Sequence, residues 1–392
     1  MKHWKTPKWF IYMEQESRIA IIGGGPAGCT CAYFLQNYFD VTIFDTNSLM
    51  FTILKTGGGR CNFSYDENDF KELSRNYPRG EKFLYSVFSN FSPSDTVDLF
   101  NKLGIETYTQ KDKRMFPKSN SAKEVREKFL ASLNKIKHIK KTVLEIKKNE
   151  NGFILKTNSS KYFFDKVIYA TGGHSGYKNL ERLGIPIVSP KPSLVGYVTE
   201  EDFSDLAGMS LTQVYSPDIN EFGDIIFTHK GISGPLIYKI SSIKARDEFP
   251  FEIYFDLIKD DFSDIQNQLN KNSQKLVKSL LSDFLPKHFC EYAVKILNIS
   301  DKKCHEINGV KREEISNFVH RFKVKVVSTV KDGETVTAGG VDLNHVNPKN
   351  MESKIIPNLY FCGEVLNIDG FCGGFNLQNC WATAFVLSKS LK

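Results

Sequence analysis

The sequence lacks the marks of several common classes. None of its eight cysteines forms a Cys-x-x-Cys pair, and none of its eight histidines stands in a zinc-ligand spacing, so no metal site is expected. No apolar run reaches the about 18 residues that a membrane-spanning helix needs. Residues 1–16 carry Lys2, Lys5 and Lys8 but no apolar core. They read as an N-terminal extension rather than a secretory signal, with Met13 as an alternative start. Without an export signal the thiols are expected to be reduced, in a cytoplasmic protein, and mostly to be small buried hydrophobes. Acidic residues are the minority charge: 45 Asp and Glu against 52 Lys and Arg give +7. The lysines are scattered, which fits solvated surface better than a nucleic-acid-binding stripe. The oligomeric state is left open.

What is present is organised around glycine. Arg18–Ile22 is a short β-branched run that reads as a buried parallel strand. Gly23-x-Gly25-x-x-Gly28 follows, then a helical stretch with Cys31, Phe34 and Leu35 on one face, then a second strand, Val41–Phe44, ending at Asp45. In such a unit Gly23 permits the tight turn, Gly25 leaves room for a pyrophosphate, and Gly28 lets helix and strand pack closely. The helix start at Pro26 and Ala27 offers free N–H groups and a partial positive charge to phosphates. Asp45 is placed to accept ribose hydroxyls. Strand, loop, helix, strand and acid in this order predict a dinucleotide site. There is no second unit of this kind.

A second loop, Thr56-Gly57-Gly58-Gly59-Arg60-Cys61-Asn62, cannot be the interior of a helix or strand. It fits backbone laid against a flat ligand or a pyrophosphate. Arg60 can neutralise phosphate or pair with an acid, and Asn62 can donate and accept at once. Val167–Tyr169 leads into Ala170-Thr171-Gly172-Gly173 as strand then turn, and Val143–Ile146 reads as a strand before it. Far along the chain, strand Leu359–Phe361 is followed by Gly363 and Glu364, and Gly373-Gly374 starts a helix through Asn376, Leu377, Trp381 and Ala384.

Between these pieces the character changes. Short β-like runs at Leu194–Thr199, Gly223–Phe227, Phe251–Phe255 and Val324–Val327 predict a second, barrel-like sheet. A helical block lies among them. Leu276, Val277, Leu280, Leu281 and Phe284 share one face, Pro286 opens a further helix, and Lys311–Phe322 is a third. Ser233 is a candidate cap and Pro235 a first-turn residue for the segment Leu236–Ser242, with His229 just before that turn. The expected class is α/β. A discontinuous Rossmann-like domain (17–190 and 337–392) surrounds a barrel-like domain (191–256 and 321–336) and a helical insert (257–320).

These pieces resemble the BaiN-type, aminoacetone-oxidase-like family of FAD-dependent oxidoreductases. The resemblance rests on the two glycine loops, Met115-Phe116-Pro117, Ala170–Gly173, Phe227–Pro235, Thr337-Ala338-Gly339-Gly340-Val341, Tyr360–Glu364 and Gly370–Gln378, in family order from residue 18 to the C-terminus. The chain departs from the family at Thr52, where Lys is usual, and in a shortened loop at His174–Tyr177. Asn367, Cys372 and Phe375 replace Asp, Thr and Tyr at places the resemblance puts near the flavin, where substrate choice is set.

The resemblance implies bound FAD. Its expected contacts are Gly23, Gly25, Pro26, Ala27, Gly28, Asp45, Thr56, Gly58, Gly59, Arg60, Cys61, Asn62, Val143, Ala170, Thr171, Gly172, Gly363, Glu364, Gly373, Gly374, Phe375, Asn376 and Leu377. Val143 would pass the adenine through its backbone, and the helix after Gly374 would face the flavin. Catalytic candidates are His229 and Cys372. The implied chemistry is hydride delivery to an activated C=C bond or oxidation of a small amine, on a small-molecule substrate. NADH or NADPH would be a transient donor, since no second dinucleotide unit exists. Two other classes share part of the pattern: an RNA-modifying or RNA-binding flavoprotein, and a plain NAD enzyme.

Overall fold

The computed structural model describes residues 17–173, 175–258, 265–331, 333 and 336–392. The N-terminal extension and His174 lie outside the described residues.

The apolar runs of the first unit form the strands expected of them. β1 (Arg18–Ile22) leads through the glycine turn into helix α1 (Pro26–Leu35) and β2 (Asp40–Phe44). β1 sits in the middle of a five-stranded parallel sheet, between β2 and the strand Lys166–Tyr169. Lys137–Ile139 lies beyond β2, and Leu359–Phe361 lies beyond Lys166–Tyr169. The sheet is therefore built from the first and last parts of the chain. Ile19, Ile21, Val41, Ile43, Ile168 and Phe361 are fully buried in it, each contributing on the order of 1.5–3 kcal/mol of apolar burial. The C-terminal helix Phe375–Leu391 packs along α1, bringing Cys31 Sγ to 3.5 Å from Cys362 Sγ and 3.8 Å from the Ala384 carbonyl. Trp381 of that helix is buried and donates its indole N–H to the Phe63 carbonyl (3.0 Å).

A ribbon of Ile187–Ser193 against Val336–Val341 carries the chain out to a second core and back. There six antiparallel strands run in the spatial order Ser210–Ser216, Glu221–Thr228, Gly231–Ser233, Tyr197–Thr199, Phe322–Thr329, Phe251–Phe255. The two outer strands meet. Tyr215 and Asp256 exchange backbone hydrogen bonds of 3.0 and 2.9 Å, which closes the sheet into a barrel. Helices Lys287–Ile296 and Gly309–His320 cover it, the latter capped by Asn308, whose side chain accepts from the Lys311 N–H (2.8 Å).

Several local expectations shift. The helix Val277–Leu281 is short, so Leu276 and Phe284 fall outside it. Ser233 caps nothing: Gly234 precedes helix Pro235–Ile243, and the Ser233 hydroxyl bonds the Tyr238 hydroxyl (3.1 Å). The strand expected at Val143 begins at Glu145.

Candidate functional site

Where β1 meets α1, a cavity of about 360 Å³ opens at the carboxyl ends of the parallel strands. Gly23, Gly25, Pro26, Ala27, Asp45, Val143, Ala170, Thr171, Gly172 and Glu364 all line it. The start of α1 has no side-chain cap, and Pro26 occupies its first turn, so the free N–H groups of this turn, beside the cavity that Pro26 and Ala27 line, are available to an anion. Gly25 has an ordinary backbone (φ −74°), and a Cβ there would meet only Thr52 Oγ1, at 3.8 Å. Its missing side chain keeps the cavity open. Gly28 works differently. A Cβ there would lie 2.0 Å from the Gly23 carbonyl oxygen, so this residue serves the crossing of helix and turn and does not line the cavity.

Asp45 stands at the tip of β2. Its Oδ2 accepts from the Gly24 N–H (2.7 Å) and its Oδ1 from the Asn47 N–H (2.8 Å). The carboxylate is thereby held rigid, with lone pairs left for ligand hydroxyls. On the far wall, Glu364 Oε1 accepts from the Thr337 N–H (2.9 Å). Two buried hydroxyls belong to this neighbourhood, Thr337 Oγ1 and Tyr177 Oη, and neither has a hydrogen-bond partner among the described residues. Burial, reinforced by Glu364, pushes the Tyr177 phenol well above its ordinary pKa. Gly363 does not line the cavity. Its N–H donates to Thr383 Oγ1 (3.0 Å), and a Cβ there would strike Ala27. A glycine-lined cradle, an uncapped helix start and carboxylates on two walls fit the ribose and diphosphate of FAD.

The remaining cofactor candidates form a second group, where the loop Thr56–Asn62 meets the start of helix Phe375–Leu391. With its amide turned to satisfy its neighbours, Asn62 donates to the Met115 and Ser64 carbonyls (3.2 and 3.1 Å) and accepts from the Gly374 N–H (3.2 Å). Gly58 and Gly59 have φ of +66° and +84° and face open space. The Thr56 hydroxyl donates to the Ile53 carbonyl (2.7 Å). Arg60 lays its guanidinium over the Phe116 ring at 4.4 Å, and Arg114 lies 5.9 Å from the same ring. Cys61 is fully buried, and burial pushes its thiol up to about 12, so it is a packing residue rather than a reactive one.

At the helix start, Gly373 and Gly374 both have positive φ, and Leu377 packs against the core of the nucleotide unit. Phe375 turns inward, against Tyr65 (4.7 Å) and Tyr77 (5.9 Å). The side chain of Asn376 is spent on Gly370, bonding both its carbonyl (2.7 Å) and its N–H (2.8 Å). Cys372 is exposed. Its packed surroundings raise the thiol above its ordinary pKa, with Arg114 opposing. Asn367, the other departure in this region, has a buried side-chain oxygen with no hydrogen-bond partner among the described residues. His229 stands exposed in the turn between strands Glu221–Thr228 and Gly231–Ser233 and does not line the cavity. Sequence reasoning gave no role to Tyr177 or Thr337 beside this cavity, nor to Arg79 and Asp369, whose side chains form a buried ion pair away from it. Arg79 and Asp369 lie 290 positions apart, so no local pattern marks the pair.

Among the described residues no cluster of His, Cys, Asp or Glu could hold a metal, and no helix is long and apolar enough to cross a membrane.

Comparison with known proteins agrees with this layout. The family profile described as "HI0933-like protein Rossmann domain" matches residues 17–390. A Haemophilus influenzae protein named ribosomal RNA dihydrouridine synthase is 30% identical over 409 residues, spanning 97% of this chain and 99% of its own. A Clostridium scindens protein named 3-dehydro-bile acid delta(4,6)-reductase is 26% identical, spanning 95% of this chain and 98% of its own. Among solved structures, the apo Sdh1 complex of Mycobacterium smegmatis aligns with a TM-score of 0.50 at 11% identity, over 95% of this chain and 68% of that one. That last likeness is one of fold.

Proposed function

This chain belongs to the HI0933-like Rossmann-domain family and is an FAD-dependent oxidoreductase, and we propose that it reduces a C=C bond conjugated to a carbonyl, with a uracil base of ribosomal RNA as the substrate. The relatives' names support this. One is named for making dihydrouridine, which is uridine saturated at its ring double bond, and the other is named as a reductase. Both uracil and a dienone carry an alkene made electron-poor by a carbonyl.

The observation that carries the reading is the surround of Cys372. An exposed thiol sits at the start of the helix that ends the cofactor unit, with Arg114 near it. Arg60 is held over Phe116, and Lys239 over Phe371 (4.8 Å). Cations stacked on rings make a rim suited to a polyanion with flat bases. Bound FAD would supply the hydride. The raised thiol of Cys372 stays protonated at neutral pH and is the group we assign to deliver the proton. Gly23–Ala27, Asp45 and Glu364 would hold the cofactor, and Arg60 and Lys239 would orient the substrate. NADH or NADPH, as donor, would visit transiently.

The test is anaerobic reduction of the FAD-loaded protein by NADH and by NADPH, followed by reoxidation with unmodified ribosomal RNA and, separately, with small enones. Dihydrouridine in the digested RNA is the expected result. Enone reduction with unaltered RNA would redirect the assignment to a small-molecule substrate. A flavin that neither acceptor reoxidises would overturn it.

A further inference from the structure

Neither the cavity nor the glycine loops account for the segment Asn76–Gly80. It lies along the loop that precedes the last helix. The Asn76 carbonyl accepts from the Phe371 N–H (3.0 Å), and the Tyr77 hydroxyl donates to the Phe375 carbonyl (2.6 Å). Arg79 and Asp369 form an isolated antiparallel bridge, and their side chains pair in parallel, Nε to Oδ1 and Nη2 to Oδ2. Gly80 has φ +92°, and a Cβ on it would lie 2.7 Å from Ile368, so only glycine lets the two segments run this close.

Asp369 is fully buried, and the Arg79 side chain is 14% exposed. Their bonds reach beyond the nucleotide unit. Arg79 Nη2 also donates to the Ser242 carbonyl (2.7 Å) and hydroxyl (3.1 Å), in the last turn of helix Pro235–Ile243, where a cation is favoured. Asp369 Oδ2 accepts from Ser193 Oγ (2.8 Å) and Ser242 Oγ (3.2 Å). Ser193 ends the strand through which the chain leaves for the barrel. One carboxylate thus joins the nucleotide unit, the crossing strand and the insert helix. It stands next to Gly370, which Asn376 holds by both backbone groups.

A buried ion pair of this kind gains little stability over apolar packing, but it admits one geometry only. We infer that Asp369, acting through Arg79 and Ser242, is a positioning residue for the substrate half of the reaction. It seats helix Pro235–Ile243 against loop 370–374, so that a substrate held by the insert meets the face on which Cys372 stands. This rests on the reductase reading above. The ribose and diphosphate end of the cofactor does not depend on it, because Arg79, Ser193, Ser242 and Asp369 do not line the cavity.

The test uses the FAD-loaded protein and the variants Asp369→Asn, Arg79→Lys and the double variant Arg79→Met with Asp369→Leu. Reoxidation by ferricyanide, which needs no shaped pocket, is compared with reoxidation by the RNA or enone substrate. Alkylation of Cys372 by iodoacetamide, followed by mass spectrometry, reports the loop itself. Asp369→Asn should keep its FAD and its ferricyanide rate, lose at least about tenfold in kcat with substrate (tenfold is about 1.4 kcal/mol of barrier), and change the rate of Cys372 alkylation. Arg79→Lys should fall between it and the parent. If Asp369→Asn fails to fold, the double variant, which removes both buried charges, decides: full substrate rate in it overturns the inference, and a tenfold loss with normal ferricyanide rate supports it. Equal losses with both acceptors overturn it as well. If the parent protein reduces neither substrate, the reductase reading fails on its own, and unchanged Cys372 alkylation in all variants overturns the positioning role.

Discussion

Asn376 closes a loop on itself by holding Gly370: its Nδ2 donates to the Gly370 carbonyl at 2.7 Å and its Oδ1 accepts the Gly370 N–H at 2.8 Å. Asn376→Ala strips partners from two backbone groups at once, at a cost of about 1–3 kcal/mol. A lower melting temperature with FAD content unchanged is expected. A variant that melts normally but loses FAD would instead place this amide on the cofactor.

Two glycines of one loop should fail in different ways. Gly25→Val fills the cavity without a Cβ clash, Thr52 Oγ1 lying 3.8 Å away, so it should give a folded protein, with near-normal melting of the apo form, that takes up no FAD. Gly28→Val drives a side chain into the Gly23 carbonyl and should yield little soluble protein. Circular dichroism and flavin content separate the two, and normal FAD content in folded Gly25→Val would refute the role given to that residue.

Cys372→Ala should leave flavin reduction by NADH or NADPH within about tenfold, while the substrate step slows by about 10²–10⁴, the scale of general acid catalysis. Because the surroundings raise this thiol's pKa, its acid form persists to higher pH than usual. The substrate step should therefore be flat across neutral pH and fall only in the alkaline range. A fall that begins at or below neutral pH as the pH rises would point to a different, more acidic proton donor.

Arg60 has its guanidinium over Phe116 and does not line the cavity. Arg60→Gln should keep full FAD content, weaken RNA binding and flatten its salt dependence by about one unit of log–log slope. Filter binding across a salt series measures this. Loss of FAD with unchanged RNA affinity would give Arg60 to the cofactor.

His229 stands exposed on a hairpin tip beside Lys230. If it touches substrate, it does so from the insert. His229→Ala should preserve the melting temperature and flavin reduction and raise KM for substrate about tenfold, with kcat little changed. A fall in kcat at constant KM would make it a participant in proton transfer.

Much of the nucleotide half was legible because its logic is local. Gly23, Gly25, Gly28 and Asp45 lie on consecutive elements, and an apolar run such as Leu359–Phe361 can hardly be anything but a buried strand. The illegible parts depend on long-range pairing. The strand Ser210–Ser216 shifts register between Leu211 and Val214, which breaks the alternation by which a strand is recognised. Arg79 and Asp369 lie 290 positions apart, and neither stands in a pattern that announces a buried ion pair. The resemblance makes Asn376 a cofactor contact, whereas its amide bonds the Gly370 backbone. The resemblance likewise puts Phe375 near the flavin, and its ring lies against Tyr65 and Tyr77.

The last strand of the parallel sheet, Leu359–Phe361, pairs with one laid down nearly two hundred residues earlier. During synthesis the edge of Lys166–Tyr169 therefore stays bare while the ribosome makes the entire insert. An open parallel edge is a template for mispairing with other chains. The wall that Glu364 contributes is also missing until that last strand is made, so the cofactor site is complete only once residue 364 has been added. Chains that stop before Leu359 should accordingly be colourless and aggregate rather than be weakly active.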